Sequence, residues 1–140
     1  MTKQVFISYS GRDEFEASLL QYALERILEN EGVVAWTFQR DQGRSERDIA
    51  QSLKHRVQES VASIFLVSPD TLDSGASQWM ELAYADAFDV KTFILLHHLT
   101  FDELKQRAQE CHHYSCRANV IPRWTGRRLL RTLESRLRGN

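Results

Sequence analysis

Val61-Ala62-Ser63-Ile64-Phe65-Leu66-Val67 decides the fold of this chain. Seven residues without a charge, rich in β-branched and large apolar side chains, read as a strand buried on both faces. Such a strand belongs to a parallel sheet covered by helices on each side. Ser68-Pro69-Asp70-Thr71-Leu72-Asp73-Ser74-Gly75-Ala76 follows, a run of turn formers that reads as a loop. Ser77-Gln78-Trp79-Met80-Glu81-Leu82-Ala83-Tyr84-Ala85 then opens a helix, expected from about Trp79 to Phe88. Trp79 and Glu81 therefore sit where the C-terminal end of a strand passes into a helix. In open α/β sheets that edge is where ligands bind. The same two residues also read as a packing aromatic and a first-turn acid favoured by the helix dipole.

Working outward, the same alternation recurs. Val5-Phe6-Ile7-Ser8-Tyr9 is a first strand and Ser10-Gly11-Arg12-Asp13 a turn, with Asp13 placed to cap a helix. Phe15, Leu19, Ala23, Leu24, Ile27 and Leu28 recur at helical spacing and form its expected apolar face. Gly32 ends that helix. Val33 to Phe38 is a second strand, followed by the polar loop Gln39-Arg40-Asp41-Gln42-Gly43-Arg44. Ser45-Glu46-Arg47-Asp48 resembles a capping box for a second helix carrying Ile49, Leu53 and Val57. Lys91 to Leu96 is a fourth strand ending at His97-His98. Thr100-Phe101-Asp102-Glu103 is a capping box for a helix with Leu104 and Ala108. Asn119-Val120-Ile121 is a short fifth strand stopped by Pro122, and Leu129, Leu130, Leu133 and Leu137 mark a last helix. Five alternations of strand and helix imply an α/β protein, with a parallel sheet and helices on both faces.

The bulk properties set limits. A chain of 140 residues, 42% hydrophobic and 26% charged, is expected to form a single domain over 1–140 with a real core. No apolar run approaches the ~18 residues of a membrane span, and the start lacks a signal-peptide pattern, so a cytoplasmic location is expected. Two cysteines, Cys111 and Cys116, fit a reducing compartment. Net charge is −1 but unevenly placed, since residues 117–138 hold seven arginines against Glu134 alone. This reads as a solvated helix face, and nucleic acid is not an expected partner. Cys111-His112-His113 with Cys116 has no familiar zinc spacing, so no metal is expected. His97 and His98 alternate across a strand end, so one of them at most faces the ligand edge.

The phosphate-cradling glycine motifs and the nucleophile elbow are missing from the sequence. What remains is a convergence at one sheet edge. The ends of the first three strands deliver Tyr9 and Arg12, then Phe38, Arg40 and Asp41, then Trp79 and Glu81. Arginines hold phosphates, aromatics stack on rings, and a carboxylate stabilises an oxocarbenium-like transition state. Together these groups suit cleavage of an N-glycosidic bond in a nucleotide.

Three stretches resemble one known family in order and spacing. Val5 to Asp13 looks like the first conserved box of the Toll/interleukin receptor (TIR) family. Val34-Ala35-Trp36-Thr37-Phe38-Gln39-Arg40-Asp41-Gln42-Gly43 looks like its second strand and BB loop. Ser77-Gln78-Trp79 with Glu81-Leu82-Ala83-Tyr84-Ala85 resembles the segment that holds the catalytic glutamate of its NAD-cleaving members, bacterial in type. The resemblance covers residues from about 3 to 135. It implies a flavodoxin-like fold with strand order 2-1-3-4-5. It also implies an NAD glycohydrolase giving nicotinamide plus ADP-ribose or a cyclic ADP-ribose isomer, in antiphage (antiviral) innate immune signalling. NAD would be a substrate, with no cofactor. Glu81 would be catalytic, and Tyr9, Arg12, Phe38, Arg40, Asp41 and Trp79 would bind substrate. Self-association with other TIR domains through Arg40 to Ser45 and the third-helix region is the implied partner. A non-enzymatic TIR scaffold acting through homotypic assembly is the alternative. One departure stands out: in the family the glutamate usually lies four residues after the tryptophan, whereas Glu81 lies two after Trp79.

Overall fold

The structure is a computed structural model that describes residues 2–37, 46–74, 76–110, 119–121 and 135. Its elements run β1 (Lys3–Ser8), α1 (Glu14–Ile27), β2 (Val33–Thr37), α2 (Glu46–Gln58), β3 (Ala62–Val67), α3 (Pro69–Ser74), α4 (Ala76–Ala87), β4 (Lys91–Leu96), α5 (Phe101–Glu110) and β5 (Asn119–Ile121). The sheet order is β2-β1-β3-β4-β5, with every neighbouring pair parallel. Four full strands carry it, and β5 adds three residues along Phe93, Ile94 and Leu95. This is the flavodoxin-like order expected from the sequence.

The core follows from the two-residue period of the strands. All six positions of β3 are buried, as its unbroken apolar run requires. Val5, Ile7, Ile64 and Leu66 face one way and pack with Ala17, Leu20, Leu24 and Leu28 of α1 and the residue after it. Phe6, Phe65, Val67, Ile94 and Leu96 face the other way and meet Val57, Leu82, Ala85 and Leu104 from α2, α4 and α5. The order β2-β1-β3 brings the C-terminal ends of β1 and β3 side by side, with Ser8 paired to Phe65.

Several local readings change. Of the expected face of α1, Leu24 and the following Leu28 are buried, but Ala17 and Leu20 complete the buried track, while Phe15, Leu19 and Ile27 are 71%, 46% and 45% exposed. Both tracks have helical spacing, and contacts with β2 choose between them. Gln21 Nε2 donates to the Ala35 carbonyl at 3.2 Å, and the Ala35 N–H donates to Glu25 Oε1 at 3.0 Å. Polar groups four residues apart on α1 thus satisfy backbone groups of β2, and this sets the roll of the helix. The 68–76 stretch is not all loop: Pro69 starts α3, since a proline at the first helical position loses no needed hydrogen bond. The helix after it begins at Ala76 rather than Trp79.

Gly32 does cap the first helical region, with φ 64 after a short 3-10 turn. The capping box before α5 is formed on both sides. Glu103 N–H donates to Thr100 Oγ1 at 3.2 Å, and Thr100 N–H donates to Glu103 Oε2 at 2.9 Å. Phe38, Arg40, Asp41, Ser45 and the rest of that loop lie outside the described residues, as do Cys111 to Cys116 and the expected last helix apart from Ser135, which is helical.

Candidate active site

The C-terminal edge of β1 and β3 holds an unusual density of buried polar side chains. Ser8, Ser10, Asp13, Ser68, Gln78 and Glu81 are all at most 9% exposed. A buried polar group is costly unless it is hydrogen-bonded, so their partners show what each does.

Glu81 lies on α4 with Gln78 one turn before it and Leu82 and Ala85 after it, all buried. Its Oε2 accepts a hydrogen bond from the Ser8 hydroxyl at the end of β1. Burial pushes the Glu81 carboxyl up to about 7, and the Ser8 hydrogen bond opposes that rise without cancelling it. A carboxyl that changes charge near neutral pH at a sheet's ligand edge is a group equipped for acid, base or electrostatic chemistry.

Gln78 is the residue that ties the two strand ends together. Its Nε2 donates to the Leu66 carbonyl at 2.8 Å and to the Ser8 carbonyl at 3.3 Å. A second network lies beside it. Asp13 was expected to cap α1, but its side chain makes no cap bond. Its Oδ2 instead accepts from Ser10 Oγ at 2.8 Å and from the Ser68 hydroxyl, joining the β1 turn to the end of β3. The Ser68 N–H donates to Thr71 Oγ1 at 3.1 Å, anchoring the start of α3 to the same point.

Of the expected substrate-binding residues, Tyr9 lies at this edge. Its ring packs on the α1-side core, and its phenol is pushed up by burial, then by the charges of Glu14 and Glu81. The last cause places Tyr9 within electrostatic reach of Glu81. Arg12 is exposed and paired with Asp70 of α3 at 3.6 Å. Trp79 is inside α4 and packs on the opposite core with Phe6 and Trp36. At ~100° per residue, Trp79 and Glu81 point about 200° apart. The face of Glu81 is shared with Gln78, not Trp79. Phe38, Arg40 and Asp41 lie outside the described residues.

One further group could offer metal ligands: Asp13, Glu16 and His97 bring ligand atoms within 4.8 Å of one another. Asp13 is already bonded to two serine hydroxyls, and Glu16 Oε1 lies 3.7 Å from His97 Nε2. Asp13 is thus held by hydrogen bonds, whereas Glu16 and His97 are only within ion-pair distance and Glu16 Oε2 is buried without a hydrogen-bond partner among the described residues. His97 is the histidine turned inward at the end of β4; His98 is exposed, with φ 51.

Sequence reasoning missed Ser8, Gln78, Asp13 and Ser68 as members of the site. Ser8 ends a strand, while Asp13, Ser68 and Gln78 lie outside the strands, and only the topology brings them together.

The architecture defines a class: a flavodoxin-like parallel α/β domain with a buried carboxyl at the C-terminal edge of its sheet. Within that class the sequence matches the TIR domain family over residues 5–131, and the chain belongs to that family. No curated protein matches it in sequence. Among solved structures it is similar to a conserved protein from Enterococcus faecalis V583, with TM-score 0.63 and 16% identity over 97% of this chain and 99% of that one. It is also similar to a CMP N-glycosidase from Clostridium botulinum, with TM-score 0.59 and 18% identity over 95% and 99% of the two chains. A third is a 2-desoxiribosyltransferase from Leishmania mexicana, with TM-score 0.55 and 14% identity over 67% of this chain. The match spans 64% of that transferase. At these identities the likeness is one of fold. Among the described residues no helix is long and apolar enough to cross a membrane.

Proposed function

We propose that this TIR domain is an NAD glycohydrolase, cleaving the bond between nicotinamide and ribose with Glu81 as the catalytic carboxylate. The observation that carries the reading is the buried Glu81 carboxyl at the sheet's ligand edge, raised to about 7 and held by Ser8. Two of the similar folds bear names that describe chemistry at nucleosides or nucleotides, which supports the same bond class.

The chemistry asks little of the protein beyond charge and position. Nicotinamide leaves NAD with the electron pair of the glycosidic bond, turning from pyridinium to neutral ring, so no general acid is needed. Positive charge builds on the ribose carbon and its ring oxygen. A carboxylate beside that carbon stabilises the charge, more strongly for being out of water. The positive pyridinium of a bound substrate would itself favour ionised Glu81. Water attacking the ribose carbon gives ADP-ribose after losing a proton. A nucleophile within ADP-ribose gives a cyclic isomer instead.

In this reading Tyr9 lines the pocket, Trp79 braces α4 from the core on its opposite face instead of lining the pocket, and Arg12, Phe38, Arg40 and Asp41 contribute to holding NAD. Assembly of several copies through residues 40–45 and α4 belongs to the same proposal. Met80, 48% exposed on α4, offers apolar surface for it. The biological setting proposed is antiphage defence. Glu81→Gln keeps the size and an acceptor for Ser8 while removing the charge. It should lower kcat for NAD cleavage by on the order of a hundredfold or more, with KM much less affected. A variant that loses affinity while keeping kcat would assign Glu81 to binding instead.

A further inference from the structure

We propose that Ser8 is the positioning residue of this site, its hydroxyl holding the Glu81 carboxylate in place for cleavage. The proposal rests on the glycohydrolase reading and adds to it a residue that touches Glu81 from another element.

Ser8 is an anomaly of sequence. Ser8 ends a strand whose neighbours Val5, Phe6 and Ile7 are core, and it is itself 2% exposed. Alanine would fill that space without a polar group to satisfy. Burial of a serine is not by itself informative here, because Ser63 in β3 is fully buried and its hydroxyl has no partner among the described residues. Ser8 differs in having one, 73 residues away in sequence.

The geometry then shows how firmly the hydroxyl is aimed. The backbone of Ser8 is fixed by its place in the sheet opposite Phe65 and by Gln78, whose Nε2 reaches the Ser8 carbonyl. Gln78 and Glu81 stand one turn apart on the same face of α4. One holds the backbone of Ser8, and the side chain of Ser8 holds the other. This closed link between α4 and β1 leaves Glu81 little freedom to turn away.

The electrostatic surroundings give that single donor weight. Ser8 at the end of β1 contacts Glu81, the phenol of Tyr9 just after it lies within reach of the Glu81 charge, and Glu14 of α1 acts on that phenol in turn. Gln78 flanks Glu81 on α4 itself. Among the described residues no cation pairs with Glu81, and Ser8 is its one hydrogen-bond donor. A donor to a carboxylate favours the ionised form. Removing it should shift Glu81 toward the neutral acid, so the rise of activity with pH should move to higher pH.

The test compares the wild type with Ser8→Ala, Ser8→Thr and Ser8→Val. The last two match in shape and differ in the hydroxyl, so they decide the matter if Ser8→Ala does not fold. In pH profiles of NAD cleavage, Ser8→Ala and Ser8→Val should show the acidic limb displaced upward by about one pH unit. That displacement lowers kcat about fivefold at pH 7 with most of it recovered at pH 9, and KM should stay within about threefold. Ser8→Thr should restore the wild-type limb. A uniform loss at every pH with the limb unmoved would overturn the proposal, as would wild-type behaviour of Ser8→Val. A second readout does not depend on turnover: carbon-13 titration of the Glu81 carboxyl by NMR. There the midpoint should rise in Ser8→Ala and Ser8→Val and return in Ser8→Thr. If the wild type does not cleave NAD yet these midpoints move, the glycohydrolase reading fails and the Ser8–Glu81 coupling stands. If the midpoints do not move, the coupling itself is refuted whatever the activity.

Discussion

Replacing Glu81 with glutamine should make the protein more stable relative to wild type above pH 7 than in acid. The Glu81 carboxyl is raised from an ordinary 4.5 to about 7, chiefly by burial. Its proton is therefore held more tightly folded than unfolded. Below the unfolded value both states carry the proton, and the carboxyl costs the fold nothing extra. Between about 4.5 and 7 the unfolded state gives up its proton while the folded state keeps it, so stability falls as pH rises and levels off once the folded carboxyl ionises near 7. At about 1.4 kcal/mol for each pH unit of displacement, the loss approaches about 3 kcal/mol once ionisation is complete. Glutamine has no such titration, and its carbonyl still accepts from Ser8. Its amide N–H groups carry a burial cost of their own, but that cost does not vary with pH. The prediction therefore concerns the difference between two conditions. The stability of Glu81→Gln relative to wild type should rise by about 3 kcal/mol between pH 4.5 and pH 8.5, or on the order of 10 °C in Tm. Urea unfolding at the two pH values measures it. A gap that stays constant across that range, or closes as pH rises, would refute the claim that burial raises Glu81.

Three further outcomes follow from named contacts. Gln78→Ala should cost about 2–3 kcal/mol in urea unfolding, since it strips the carbonyls of Ser8 and Leu66 of a buried donor; a cost below about 0.5 kcal/mol would mean water replaces it. Phe15→Ser should change stability by less than about 0.5 kcal/mol while Leu20→Ala costs about 2–5 kcal/mol; the reverse ranking would restore the helix face expected from the sequence. Specific NAD-cleaving activity should rise with protein concentration across a hundredfold range, and a flat dependence would count against assembly as a requirement.

The sheet was legible because the sequence states it twice. The apolar run of β3 demands burial on both faces, and five strand–helix alternations demand parallel pairing. Periodicity alone could not choose between the two apolar tracks of α1. That choice is made by Gln21 and Glu25 against the backbone of β2, a contact that no pattern within α1 records. Pro69 stands in a run of turn formers that reads as a loop, although the first helical position is where proline fits best. Glu81 was legible through its place after β3 and through family resemblance. Ser8 and Gln78 were not, because what makes them part of the site is a pairing across 73 and 70 residues. A serine that ends a strand and a glutamine in a helix look ordinary until the topology brings β1 beside β3. The spacing of Trp79 and Glu81 is settled by position: both lie within α4, so they cannot share a face.

The most direct test of the central claim is product analysis after incubating the purified protein with NAD, beside Glu81→Gln at equal concentration. Chromatography should show nicotinamide released by the wild type, matched in amount by ADP-ribose or a cyclic isomer. Release by Glu81→Gln should be lower by a hundredfold or more. Equal release by the two proteins, or none by a folded wild type at concentrations that permit assembly, would contradict the account.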